Sequence, residues 1–217
     1  LADRVTYVLE KLRAYEAVRG DFNSIVTSLQ CLIDSRRFAF TKRGEDTARL
    51  VVKLGRSMGL PEEDLRLLRY VSRIYDVGMV KVADEVLRKR GQLRPSEYAN
   101  IKRHPEEGVC ILAPIEFLGK VKDAILHHHE RYDGKGYPSG LAGENIPVAA
   151  RVLAVVDAYE SMVTERPYRK AMTREEAIEE LMGCSGTQFD PRVVEHFIEI
   201  VGRDEFMQTE NLTATLS

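Results

Sequence analysis

At 217 residues the chain is long enough for one large domain with a substantial core, or for one domain with a short appendage. Its 44% hydrophobic and 30% charged residues are those of a globular protein, and a net charge of −2 excludes the basic footprint of a non-specific nucleic-acid binder. No apolar run approaches the roughly 20 residues of a membrane-spanning helix, and no secretory leader is visible. The three cysteines, Cys31, Cys110 and Cys184, lie far apart with no CxxC pair. That spacing predicts buried free thiols in a reducing, cytoplasmic compartment. The chain opens at Leu1 rather than methionine, so it is expected to be a piece of a longer protein.

Periodicity is helical nearly everywhere, and no alternating strand pattern competes with it. Residues 1–19 read as an amphipathic helix through Val5, Val8, Leu9, Leu12 and Tyr15. A second covers about 22–36, with Phe22, Ile25, Leu29, Leu32 and Ile33 on one face. The third spans roughly 44–58 and stops at Gly59. Pro61 and the acidic run Glu62, Glu63 and Asp64 open the next, as first-turn chemistry and the macrodipole favour. That helix runs into Ile74-Tyr75-Asp76 and ends near Gly78. Helices are expected at about 82–90 and 96–112, the latter disturbed by Pro105, and at 117–131, where His127, His128 and His129 stand together. The glycine- and proline-rich stretch 132–147 is a loop. A long apolar helix covers 148–164, Thr173 and Glu176 form a capping box for another, and Asp190-Pro191 starts the last. The expected division is 1–36 as N-terminal helices coupling to an upstream domain, 37–205 as the main domain and 206–217 as a flexible tail.

The segment HHHERYDGKGYP, residues 127–138, carries the strongest chemical signal. Clustered neutral imidazoles are preferred ligands for divalent transition metals. His128 and His129 lie about 100° apart on a helix and converge on one pocket only at its edge, so His127 points partly elsewhere. Asp157, within ARVLAVVDAYESMV, and Asp76, beside Tyr75, are carboxylates in apolar company. Each read alone is a capped or hydrogen-bonded aspartate, but two of them in a chain with a histidine cluster favour a metal. His104, in IKRHPEEG, is presented from a helix end by the proline that follows it. His196 reads as an ordinary helix residue.

The run HHHERYDGKGYPSGLAGENIP, with IKRHPEEGVCILAP before it and ARVLAVVDAYESMVTERPYRKAMTREEAIEEL and GTQFDPRVVEHF after it, closely resembles the HD-GYP family. The resemblance is strong over about residues 58–201. It implies an all-α fold: an HD-superfamily helical bundle with extra C-terminal helices and the GYP loop. It also implies metal-dependent cleavage of the bacterial second messenger cyclic di-GMP.

Carried over residue by residue, the resemblance exposes losses. The name-giving His-Asp pair aligns with Tyr75-Asp76, and the family lysine three residues later is Met79. The early metal-binding histidine falls where this chain has Arg43 as best match, with Gly44 or Glu45 as alternatives. By contrast, Asp76, His104, His128, His129 and Asp157 match family metal ligands, Tyr137 matches the loop tyrosine, and Arg166 and Arg169 match phosphate-holding residues. One half of the two-metal site thus keeps only two carboxylates, while the other keeps three imidazoles and Asp76. Both ions of such a site help activate the attacking water, and Met79 also removes a cation from the phosphate.

The expectation is therefore a degenerate member that binds at most one divalent transition metal, iron or manganese, or none. It is expected to act by holding cyclic di-GMP or its linear product, or by docking a cyclic di-GMP synthase domain on the GYP loop. The alternative is a working phosphodiesterase in which Tyr75, Glu45 or Asp46 replaces the missing ligands. For Tyr75 a hydrogen-bonding or packing role is preferred over ligation of ferric iron as a phenolate. No nucleic-acid polymer is expected as a partner, and homodimerisation through the first two helices is left open.

Overall fold

The computed structural model describes residues 23–33, 43–89, 91–115, 118–165 and 170–202, with side chains left aside for 43–46. Among them the architecture is all helical, apart from one isolated bridge between Ser185 and Phe189. The expected N-terminal helix over 1–19 and the tail over 206–217 lie outside the described residues.

Ten helices follow in order. α1 comprises residues 23–33, α2 Arg43–Ser57, α3 Glu62–Ile74, α4 Asp84–Leu87 and α5 Pro95–Lys102. α6 is His104–Leu112, α7 Gly119–His127, α8 Val148–Val163 and α9 Arg174–Gly183, and α10 is 191–202. Helix α8 is the axis of the bundle and packs against α2, α3, α7 and α9. Its sequence explains that position: Ala149, Ala150, Val152, Leu153, Val155, Val156 and Met162 are all buried, so apolar residues wrap most of its circumference. Helix α3 buries only the stripe Leu65, Leu68, Val71, Ser72 and Ile74, as a surface helix of the bundle should. Phe197 of α10 meets Tyr159 of α8 edge-on and closes the far side of the core.

Several boundaries differ from the sequence reading, each for a local reason. The helix expected over 82–90 contracts to α4, a single turn. The one expected over 96–112 is two helices, α5 and α6, which change direction at Arg103 so that Pro105 falls in the first turn of α6, where its missing N–H costs nothing. Helix α7 stops at His127 rather than 131, leaving His128 and His129 in the turn. The capping box of α9 forms as expected, with Thr173 Oγ1 accepting from Glu176 N–H at 3.2 Å and the Glu176 carboxylate accepting from Thr173 N–H at 2.8 Å. The thiols are free but not buried: Cys31 and Cys110 are exposed and Cys184 is half-buried. No helix among the described residues is long and apolar enough to cross a membrane.

Candidate metal and ligand site

Three helix ends, one loop and the interior of α8 meet at the site. Helix α3 finishes at Ile74, and Tyr75 and Asp76 form the turn into a 3-10 segment, Val77–Lys81, that carries Met79. That turn presses against the start of α6 because Gly78 has no side chain: a Cβ there would stand 1.9 Å from the His104 carbonyl oxygen. The contact fixes His104 beside Asp76, with Nε2 3.5 Å from Asp76 Oδ1. His104 is 3% exposed, not the surface residue its polar flanks suggest.

The end of α7 adds the other two rings. At this helix end the rings of His128 and His129 lie with centroids 4.0 Å apart. The ring centroid of His104 is 5.2 Å from that of His128 and 5.0 Å from that of His129. Each of the three residues offers a ligand nitrogen within 4.8 Å of the others. His127 turns away, as expected, toward Glu130, with Nδ1 3.5 Å from its Oε1.

Two backbone carbonyls decide which nitrogens are available. His104 Nδ1–H donates to the Ile101 carbonyl at 2.8 Å, and His128 Nδ1–H donates to the Ile125 carbonyl at 2.6 Å. A carbonyl only accepts, so both neutral rings carry their proton on Nδ1 and leave Nε2 bare. The two Nε2 atoms are 3.2 Å apart. That is hydrogen-bond distance, but neither atom has a proton to give. Two lone pairs facing each other beside a carboxylate oxygen repel unless a cation lies between them. Burial, reinforced by the charges of His129 and His104, holds the His128 imidazole well below its ordinary pKa. Burial and then His104 bring His129 to about 3. His128 and His129 therefore favour the neutral, ligating form, and the donor set of three imidazoles suits a transition metal.

Beside the imidazoles, Tyr75 meets helix α8. Tyr75, 5% exposed, donates its hydroxyl proton to Asp157 Oδ1 at 2.7 Å and lies edge-on to His128. Asp157 and Asp76 are half-buried rather than buried. One turn further along α8, Glu160 Oε2 accepts from Thr47 Oγ1 at 2.6 Å. The side chains of Arg43, Glu45 and Asp46, and all of Arg166 and Arg169, lie outside the described residues.

The loop after α7 brings Tyr137 over the imidazoles, stacked on His129 with centroids 5.0 Å apart. Burial, with Tyr98 and Asp157 nearby, raises the phenol above its ordinary pKa and keeps it protonated. The sequence reading did not single out Glu130, which fixes this loop. Its buried Oε1 accepts from Ser139 N–H at 2.7 Å and Gly140 N–H at 3.1 Å. Gly136 completes the turn, since a Cβ there would fall 2.3 Å from Arg131 N. A glutamate directly after three histidines, before a glycine-rich loop, was the available signal.

An all-helical bundle with three converging imidazoles at its helix ends is the class of protein these observations define. The HD domain family pattern matches residues 27–193. The chain is 37% identical over 177 residues to the cyclic di-GMP phosphodiesterase response regulator RpfG of Xanthomonas campestris, covering 81% of this chain and 46% of that protein. It is 38% identical over 154 residues to the cyclic di-GMP phosphodiesterase PA4108 of Pseudomonas aeruginosa, covering 70% and 37%. In fold it resembles the Vibrio cholerae cyclic GMP-AMP specific phosphodiesterase V-cGAP3, with a TM-score of 0.64 at 20% identity over 84% of this chain and 49% of that one. The chain belongs to the HD domain family, in the HD-GYP branch that its motifs resemble. It spans less than half the length of these curated relatives.

Proposed function

We propose that this chain is a cyclic dinucleotide-binding HD-GYP domain of cyclic di-GMP signalling. In this reading it holds one divalent transition metal, iron or manganese, on His104, His128, His129 and Asp76, and it hydrolyses its ligand slowly or not at all. The observation that carries this is the Tyr75–Asp157 hydrogen bond at 2.7 Å. A buried phenol whose hydroxyl donates to the carboxylate closes the half of the site where a second ion would need an imidazole. The bound metal would supply Lewis acidity toward a phosphate oxygen.

The remaining roles fall to the chain's own residues. Ile101 and Ile125 carbonyls hold two rings in the ligating tautomer. Tyr137, clamped by Glu130, covers the imidazoles and limits water. Arg166 and Arg169 are proposed to take ligand phosphates, as their family counterparts do. The names of the relatives, which act on cyclic di-GMP or cyclic GMP-AMP, support a purine cyclic dinucleotide as ligand. The GYP loop is also proposed as the surface that meets a cyclic di-GMP synthase domain.

Manganese-loaded protein incubated with cyclic di-GMP tests this directly. Calorimetry should register binding, while chromatography of the same mixture should recover the cyclic compound intact. Rapid appearance of the linear dinucleotide would show that the chain is an active phosphodiesterase with a rebuilt site.

A further inference from the structure

Helix α5 places Tyr98 and Lys102 one turn apart, on the same face. Its start is pinned by Glu97, whose Oε2 accepts from Arg94 N–H and from Lys89 Nζ, both at 2.6 Å. The shared face looks toward the GYP loop. Lys102 Nζ stands 5.0 Å from the Tyr98 ring centroid and 4.9 Å from that of Tyr137. Tyr137 in turn stacks on His129. Tyr98, Lys102, Tyr137 and His129 thus form a continuous row from solvent to the imidazole cluster.

Among the described residues, Lys102 has these two phenol rings as partners and no carboxylate. Tyr98 is 51% exposed, unusual for so large a ring. An ammonium resting on two aromatic faces is weakly held and gives way readily to an anion. Once it moves, two π-faces are open to a flat ring. A cationic ligand does not fit, because the lysine already fills the cage with positive charge. A ligand that is both aromatic and anionic fits both halves.

We propose that Tyr98, Lys102 and Tyr137 form a second subsite at the rim of the imidazole pocket. There the phenol rings stack a purine base and the Lys102 ammonium takes a phosphate of the same nucleotide. The proposal rests on the cyclic dinucleotide reading above. It adds that one nucleotide half is gripped at the rim while the other reaches the imidazoles. Sequence inspection passed over both α5 residues, since a lysine and a tyrosine on a short polar helix look like an ordinary solvated face.

Calorimetric titration of manganese-loaded protein with cyclic di-GMP, at low and at high salt, decides the matter. Tyr98→Leu and Lys102→Met should each weaken binding about tenfold, the size of one lost stacking or phosphate contact. Tyr98→Phe should bind like the wild type, because the ring face is retained. Lys102→Met should also flatten the salt dependence. Tyr98 is exposed and Lys102 half-buried, and unchanged melting temperatures will verify folding. If the wild type binds and both Tyr98→Leu and Lys102→Met bind equally well, the rim subsite is refuted and the dinucleotide reading stands. If the wild type itself fails to bind, that reading falls and takes the rim subsite with it.

Discussion

Tyr75 gives its hydroxyl proton to Asp157, and a carboxylate oxygen engaged in this way has one fewer lone pair for a cation. An imidazole at position 75 would present a bare nitrogen instead, which is the chemical difference between a closed and an open half-site. Replacing Tyr75 with phenylalanine should cost about 1 kcal/mol, the net value of one partly buried hydrogen bond, read as a lower urea midpoint. It should not raise the metal content, because deleting the phenol oxygen supplies no new ligand. At the same scale, His104 and His128 owe their bare Nε2 atoms to carbonyls three residues earlier. A second ion bound by Tyr75→Phe protein would mean that the hydrogen bond alone, not the missing imidazole, keeps that half empty.

At the scale of elements, helix ends matter more than helices. Helices α3 and α7 both stop short of their functional residues, and α6 begins on one. Irregular backbone at these ends lets side chains from distant positions point inward together. The loop beyond α7 depends on one carboxylate, and two substitutions separate its possible roles. Glu130→Ala leaves two loop N–H groups without acceptors and should cost about 2 kcal/mol, with faster hydrogen exchange at Ser139 and Gly140. Glu130→Gln keeps an acceptor oxygen for both, and its new amide can use the space where Oε2 has no partner. It should therefore remain near wild-type stability. Equal loss in both variants would mean that the charge of Glu130, not its hydrogen bonding, holds the loop.

This scale also separates what was legible in the sequence from what was not. The all-α class, the long helix α8 and the α9 capping box follow from periodicity and residue type, and so does the histidine cluster, although it lies in the turn after α7 rather than within a helix reaching 131. The split between α5 and α6 is hidden in the sequence because a proline within a helical pattern marks a disturbance of one helix as readily as the first turn of the next. Exposure of Cys31 and Cys110 was missed because composition carries no information on which face of a helix is turned outward. The close approach of Gly78 to His104 is a tertiary contact that no local pattern announces.

For the whole molecule, burying neutral histidines links stability to pH. His129 titrates at about 3 in the fold, against about 6.5 when free. Below about pH 6.5 the unfolded chain gains a proton that the native state refuses, so stability falls as pH falls toward 3, at roughly 1.4 kcal/mol per pH unit for such a histidine. His128 is displaced in the same direction. Metal-stripped protein should therefore lose about 2 kcal/mol or more between about pH 7 and about pH 5, measured from urea midpoints. A midpoint indifferent to pH over that range would mean that the rings titrate in the fold as they do in the unfolded chain.

In the proposed reading the two halves of the site make opposite demands on a cation, and counting ions reports on both. Elemental analysis of protein purified in iron- or manganese-supplemented medium should find about one metal per chain, lost on substitution of His128 by alanine. Two metals per chain in the wild type would contradict the account, because the Tyr75–Asp157 half would then have to be open.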